Sequence, residues 1–472
     1  MNSFKTLEGP YIKKNTSVSF MMKHLLIALA PIILFSIYKN GYIPYKEGYI
    51  SAIAIFYPLL FVLIGMLTSS LTELAFFKLA KKNLKEEMKN SYALIPGLFV
   101  ALVLPLNTPL LILIFGCIVA SFVGKIIFGG FGNNIFNPAL IGVLFVATMF
   151  SLNIAENGGY LNEYEADTMS SATPLSVQTD DIGSYEEYVE PYGNLKDFII
   201  GTTPGSVGET SGLLILLAFA YMTYKKILKW PITTSYIFTV FVMTYLIGSF
   251  NDLGIWFSIF HVFSGGLLFG AVFMATDPVT SPVTPVGQML YGLFLGILTV
   301  MFRFLTSYPE GVMTAILTMN MFVFILDKIG SKARLNFSKA TISFVLAWSL
   351  IIMMSLLIAG SFGEKEVDPN FNLITVNEVG NTFKYIVEQR GHNGFIKAEF
   401  VVDNGEITNF EILNHLETSS YFQKLYDEDY FNSLINSNDF DDVDTISSAT
   451  ISSNAIKRMF KNVMEDYNER KN

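Results

Sequence analysis

Charge is scarce in this 472-residue chain. Asp, Glu, Lys and Arg together make up 15% of it, against about 25% in soluble domains, and the mean hydropathy is +0.45. Those values exclude an ordinary soluble protein. Cysteine is nearly absent: Cys117 stands alone, so the chain forms no internal disulfide and holds no iron–sulfur cluster by itself. Cys117 lies in an apolar segment and reads as packing, with a ligand shared with another subunit as the alternative. The histidines, His24, His261, His392 and His415, show no ligand spacing, so no metal site is expected. The formal charge of −9 is unevenly spread, and no nucleic-acid partner is expected. No cleavable signal peptide is expected either, because the first apolar run starts only after Lys13 and Lys14 and lacks a small-residue cleavage site.

Long apolar runs are what the chain has in abundance. Eleven candidate spanning segments lie near 25–38, 50–70, 93–106, 110–128, 139–152, 213–225, 232–250, 255–274, 289–305, 312–326 and 341–359. The third is short and carries Pro96 and Pro105, which marks a broken or re-entrant helix. The expected fold is a polytopic α-helical membrane protein of about 10–11 transmembrane helices, set in membrane lipid, with a small C-terminal α+β extracytoplasmic domain. Its expected parts are a transmembrane domain over 1–339 with a long loop at 153–210, an additional anchor helix over 340–360, and a domain over 361–472.

Lys and Arg mark the cytoplasmic face. With the N-terminus inside, the inner loops collect Lys78, Lys81, Lys82, Lys85, Lys89, Lys125, Lys225, Lys226, Lys229, Lys328, Lys332, Arg334 and Lys339. Lys39 and Lys46 in the first outer loop are a mild exception, and loop 153–209 has Lys196 alone among many carboxylates. Ten helices return the chain to the inside and the eleventh carries it out. Loop 153–209 and the tail from Gly360 then face the same, outer, compartment.

A heptad recurs on that face. DTMSSAT at 167–173 returns as DTISSAT at 444–450, six of seven positions being identical. Each copy starts with an Asp (Asp167, Asp444) and ends in a Thr (Thr173, Thr450). That is the arrangement expected of two attachment points for one kind of cofactor. The Thr hydroxyl can form an ester, while Ser170, Ser171, Ala172, Ser447, Ser448 and Ala449 let a large group approach the backbone. In the tail, 383–388, 395–402 and 407–413 read as strands, with a turn at Asp403-Asn404-Gly405. A helical stretch follows near 421–435. After Thr450, Ser452 or Ser453 caps a helix whose apolar face is Ile456, Met459, Phe460, Val463 and Tyr467. Thr450 just before a helix start would suit an anion, such as a phosphate ester; a plain cap is the alternative.

The string D-x-x-S-S-A-T resembles the flavin-attachment motif of the Rnf and Nqr redox pumps, in which a flavin transferase links FMN through its phosphate to the last Thr. GGFGNNIFNPA at 129–139, FMATDPVTSPVT at 273–284 and the SYPEG that ends 301–311 resemble the membrane D subunit of Rnf and the homologous B subunit of Nqr. The likeness runs from Met1 to about residue 339. HNGFIKAEFVVDNGEITNFEILNHLET at 392–418 and DTISSATISS at 444–453 resemble the FMN-binding domain of the Rnf G subunit. Two departures stand out: Ser171 and Ser448 replace the usual Gly before Ala-Thr, and an eleventh helix with a G-like domain is appended, either replacing a G subunit or adding a flavin beside it.

The resemblance implies covalent FMN on Thr173 and Thr450, and a further non-covalent flavin (riboflavin) near Asn133, Asn134 and Asn137. For the Asn residues, caps in a Gly-rich loop are the alternative. It implies a membrane subunit of an ion-translocating ferredoxin:NAD oxidoreductase that relays electrons between flavins and couples them to Na+ or H+ transport, with other Rnf subunits and a flavin transferase as partners. The alternatives are an Nqr B-type subunit and a non-redox scaffold or transporter. Arg303, near the outer end of its helix, is expected to meet an anion, either the FMN phosphate or Glu310, or to snorkel to the surface. Glu73, Asp277 and Asp327 read as exposed helix-end carboxylates, with an ion path as the alternative.

Overall fold

The computed structural model describes residues 17–156, 175, 185–203, 205–209, 211–251, 253–306, 311–335, 337–361, 371–379, 382–390, 395–403, 405–415, 423–426, 430–435, 437, 440, 443 and 450–471. Two compact units divide the chain, Met1–Gly363 and Glu364–Asn472.

In the first unit, α1 (Val18–Ile37) starts at Ser17, whose hydroxyl accepts the Phe20 N–H at 3.1 Å. It is followed by α2 (Tyr57–Leu79), α3 (Leu94–Val103), α4 (Leu110–Ser121), α5 (Pro138–Met149), α6 (Gly212–Tyr224) and α7 (Trp230–Phe250). Then come α8 (Ile255–Phe263), α9 (Leu267–Phe269), α10 (Pro285–Leu305), α11 (Gly311–Leu335) and α12 (Phe337–Ser361). Three helices run on as π-helix: α1 through Tyr38–Tyr42, α4 through Phe122–Ile126 and α9 through Gly270–Met274. Among the described residues, six helices are long and apolar enough to cross a membrane: Val18–Lys46, Ala52–Leu79, Trp230–Phe250, Pro285–Leu305, Gly311–Ala333 and Thr341–Gly360. One bent pair makes a seventh. Leucines and phenylalanines stand exposed along them, Leu34, Phe324 and Leu357 among others, as a lipid-facing surface requires. The protein is thus a multi-pass membrane protein.

Each of the eleven apolar segments holds a helix, but those at Leu110–Ile126, Pro138–Met149 and Gly212–Tyr224 are shorter than a full span, and the third and eighth are cut short or broken. The third is the ten-residue α3; it stops where Leu104 turns extended ahead of Pro105, as the residue before a proline tends to do. The eighth, one continuous apolar run, is broken into α8 and the α9 segment by a 63° bend. Ser264 there is extended and Gly265 adopts a φ of +63°, and paired Gly and Ser residues are a usual cause of such a kink. Elsewhere helices meet through glycine. A Cβ on Gly97 would sit 2.0 Å from the Gly65 carbonyl oxygen, and one on Gly142 2.5 Å from that of Gly116, so α2 crosses α3, and α4 crosses α5, with backbones in contact.

The second unit is a four-stranded antiparallel sheet in the order β1 (Phe371–Val379), β2 (Thr382–Arg390), β3 (Phe395–Asp403), β4 (Glu406–His415), followed by α13 (Tyr430–Ile435) and α14 (Thr450–Lys471). Alternate residues of β2 and β3 point inward, Phe383, Tyr385 and Val387 beside Ile396, Ala398, Phe400 and Val402. They meet Ile456, Met459, Phe460, Val463 and Tyr467 of α14, the face expected from the helical period. The β3–β4 hairpin pairs Asp403 with Glu406, around the expected Asp-Asn-Gly turn. β1 was not expected: it pairs only with β2, carries a register shift between Leu373 and Thr375, and leaves Leu373 and Ile374 exposed, so it lacks the alternation that marks a half-buried strand.

Candidate functional site

At one end of the helical unit the break between α8 and α9 makes a small, tightly filled site. Carbonyls at a helix C-terminus lack intrahelical partners. Arg303 of α10 supplies them: its Nη1 donates to the His261 carbonyl at 2.5 Å and its Nη2 to the Ser264 carbonyl at 3.1 Å. Arg303 is 2% exposed, so it does not snorkel to the surface. Glu310, the other expected partner, lies outside the described residues. Beside the break, Leu175 is fully buried with Tyr188, Val189, Phe198 and Phe260. A Cβ on Gly265 would stand 2.6 Å from Leu175 Cδ1. The absent side chain at 265 therefore makes the seat for Leu175, two residues past Thr173. Tyr185 meets the Trp256 ring edge-on, with centroids 5.2 Å apart, at the rim of this cluster.

Lys39, in the π segment after α1, is buried, donates to the Thr203 carbonyl and feels the Glu209 carboxylate. It is bound inside the protein rather than free in a loop, which accounts for its exception to the charge bias.

The other end of the unit carries polar groups that the sequence reading placed at exposed helix ends. Glu73 is instead fully buried. Lys125, also buried, donates to Glu73 Oε1 at 2.5 Å, to the Ser91 carbonyl at 2.6 Å and to Ser91 Oγ at 2.9 Å, while Ser91 Oγ donates to Glu73 Oε2. The knot ties α2, the short helix Leu84–Ser91 and the π segment of α4 together. Asp327 is half-buried and holds the segment that leads into α10, accepting from Thr284 N at 2.8 Å, Thr284 Oγ1 at 2.8 Å and Val283 N at 3.0 Å. Asp277, also half-buried, accepts from Thr280 N and Oγ1. Burial pushes its carboxyl above the usual carboxylate range, opposed by those bonds and by Lys229. Burial likewise lowers Lys229, which donates to Ser281 Oγ at 2.7 Å.

The three asparagines separate. Asn137 is the N-cap of α5: its Oδ1 accepts from Ala139 N at 3.1 Å, and its own N–H donates to Asn320 Oδ1 at 3.1 Å. Asn134 donates to the Phe136 carbonyl, and Asn133 to the Gly129 carbonyl at an exposed site. Asn134 and Asn137 line a cavity with Lys125, Tyr92, Phe131 and Asp277; Asn133 does not. The cavity measures about 80 Å³, well below the roughly 300–1,000 Å³ of ligand pockets. It has room for a few waters.

Asp167, Ser170, Ser171, Ala172 and Thr173, and Asp444, Ser447, Ser448 and Ala449, lie outside the described residues. Thr450 is the first residue of α14, not the residue before it, so Ser452 and Ser453 are not caps: they lie in the first turn and are buried. Tyr430 of α13 donates to the Ser453 carbonyl at 3.1 Å, and burial pushes its hydroxyl up to about 12. Ser91 and Asn320 carry no sequence signal that marks them as site residues, and Lys125 counts in the sequence only as an inner-loop charge. The signal available for Lys125 is an ionisable residue within an apolar run, the usual mark of a buried, paired charge in a membrane protein.

A multi-pass helical membrane unit followed by an antiparallel sheet with a long packed helix defines the class of protein. Residues 5–336 match the NQR2, RnfD, RnfE family and residues 391–465 match the FMN-binding domain. The chain belongs to the NQR2, RnfD, RnfE family. It is 32% identical over 332 residues to the D subunit of the proton-translocating ferredoxin:NAD(+) oxidoreductase complex of Clostridium ljungdahlii, covering 69% of this chain and 94% of the relative. It is 32% identical over 314 residues to the D subunit of the Na(+)-translocating ferredoxin:NAD(+) oxidoreductase complex of Acetobacterium woodii, covering 66% and 89%. It is 34% identical over 262 residues to the B subunit of the Na(+)-translocating NADH-quinone reductase of Chromohalobacter salexigens, covering 53% and 62%.

Proposed function

We propose that this chain is the membrane electron-transfer subunit of an ion-translocating ferredoxin:NAD oxidoreductase complex and carries two covalent FMN groups, on Thr173 and Thr450. One observation carries the reading: a family domain over 5–336 and an FMN-binding domain over 391–465 share one chain, and each unit holds a DTxSSAT heptad. The ferredoxin:NAD relatives, matched over about nine-tenths of their length, favour that complex over the quinone reductase, whose B subunit is matched over 62%. Flavin supplies the electron chemistry, and the protein sets its position and surroundings. Leu175, seated against Gly265, tethers the loop at most about 7 Å past Thr173. Arg303, already holding the break, keeps a positive charge beside that tether. Both attachment sites are assigned to the outer face, with Na+ or H+ as the ion moved, other subunits of the complex as partners and a flavin transferase for maturation.

The test is covalent flavin content, read as fluorescence in denaturing gels from cells carrying a flavin transferase. Thr173→Ala and Thr450→Ala should each halve it and the double variant abolish it, since each change removes the acceptor oxygen and little else. Full fluorescence in the double variant would refute the attachment. An unmodified Thr450 in the wild type would reduce the tail to a carrier of no flavin.

A further inference from the structure

The appended helix makes a site of its own. α12 seats Ala347, Ile351, Ser355 and Ile358 in the bundle, and its Trp348 meets Phe238 of α7 edge-on at 5.9 Å. It does not close fully on α10 and α11. A groove of about 610 Å³ remains, with Leu290 and Phe294 on α10, Ile329 on α11, and Ser343, Ala347 and Met353 on α12 among its walls. From Ser343 to Met353 the α12 wall runs about 15 Å, half of the roughly 30 Å hydrocarbon core. The groove therefore has the length of one leaflet. Its walls are almost wholly apolar, and Leu346, Ser349 and Met353 are exposed along it.

Among the described residues, charge lies near one mouth. Lys332 lies three residues beyond Ile329 on α11, hence on the groove's face and one turn closer to the membrane surface. Lys328 is next to Ile329, and both lysines are exposed. Within 311–361 the basic residues are Lys328, Lys332, Arg334 and Lys339 against the single acid Asp327, a net of +4 − 1 = +3. The Asp327 oxygens are already engaged by Val283 and Thr284. All of the α12 wall lies beyond residue 336, where the family match ends.

We propose that this groove binds one anionic phospholipid, with an acyl chain along α12 and the phosphate at Lys328 and Lys332. A zwitterionic lipid would fill the groove equally well but would bring its own cation to a positive mouth.

Native mass spectrometry of the full chain in neutral detergent, titrated with phosphatidylglycerol or phosphatidylcholine, tests this. The wild type should retain one phosphatidylglycerol in preference to phosphatidylcholine. Lys328→Gln/Lys332→Gln, both at exposed positions, should weaken phosphatidylglycerol by about fivefold per lysine and leave phosphatidylcholine unchanged. Ser349→Trp, which fills the groove and keeps the lysines, should lose both lipids. Equal retention of the two lipids by the wild type, or wild-type phosphatidylglycerol retention in either variant, overturns the proposal.

Discussion

Replacing Lys125 by Met removes the ammonium from the buried knot and keeps most of the stem. Glu73 is then left as a carboxylate with no exposed surface and without the cation 2.5 Å away. At that distance the attraction alone is about 7 kcal/mol in an effective dielectric of 20. Desolvation of both groups takes much of this back, and breaking one side of a buried pair leaves a net loss of about 3–5 kcal/mol. Removing both charges, Glu73→Gln with Lys125→Met, leaves no orphan and should cost only about 1 kcal/mol. The two substitutions are therefore strongly non-additive. Thermal unfolding of the full chain in detergent, followed by tryptophan fluorescence, should show the single variant melting several degrees below the wild type, at roughly 1–2 °C per kcal/mol for a chain of this size. The double variant should recover most of that drop. Additive shifts, the double variant melting lower than either single one, would refute the pairing.

Other outcomes follow from particular contacts. Single cysteines at Glu187 and Asn404 should both react with a membrane-impermeant thiol reagent in intact cells, against a silent background because Cys117 is fully buried; a silent Asn404 probe beside a labelled Glu187 would put the tail inside. Gly265→Ala places a Cβ in the seat of Leu175 at a φ of +63°, so it should reduce flavin attachment at Thr173 severalfold and leave Thr450 modified; equal loss at both sites would mean general misfolding. Burial raises the Asp277 carboxyl above its ordinary 3.8, so the folded state holds the proton more tightly than the unfolded one. The stability this contributes is present below pH 3.8 and is lost as pH rises through the folded value. Asp277→Asn should accordingly gain on the wild type in melting temperature between acid and neutral pH, and a constant difference across that range would count against it.

How much of this was legible depended on periodicity. The apolar runs located a helix in every expected segment, and the 3.6-residue pattern in 456–467 gave the packed face of α14, because burial there is one-sided and repeated. The break at Ser264–Gly266 was hidden by a continuous apolar run, although the Gly pair within it was the available sign. β1 was hidden by exposure on both faces. Glu73 reads as a helix-end carboxylate and Lys125 as a loop charge because the two lie 52 residues apart in sequence, and only the fold brings them together.

The three π-helical segments share a consequence. A π turn holds one residue more than an α turn, so each inserts a residue and swings everything after it about 100° around the axis. In two of them the residue so turned is a lysine, Lys39 or Lys125, aimed into the protein. Each also carries a glycine lying flush with a neighbour: Gly41 on the Ile55 carbonyl, Gly124 on Pro138, Gly270 on Val312. An apolar helix can thus present a single cation inward without a polar stripe along its length. Deleting one residue ahead of the lysine, at 38 or within 122–124, would turn that lysine about 100° away from its buried partners while leaving the helix as apolar as before.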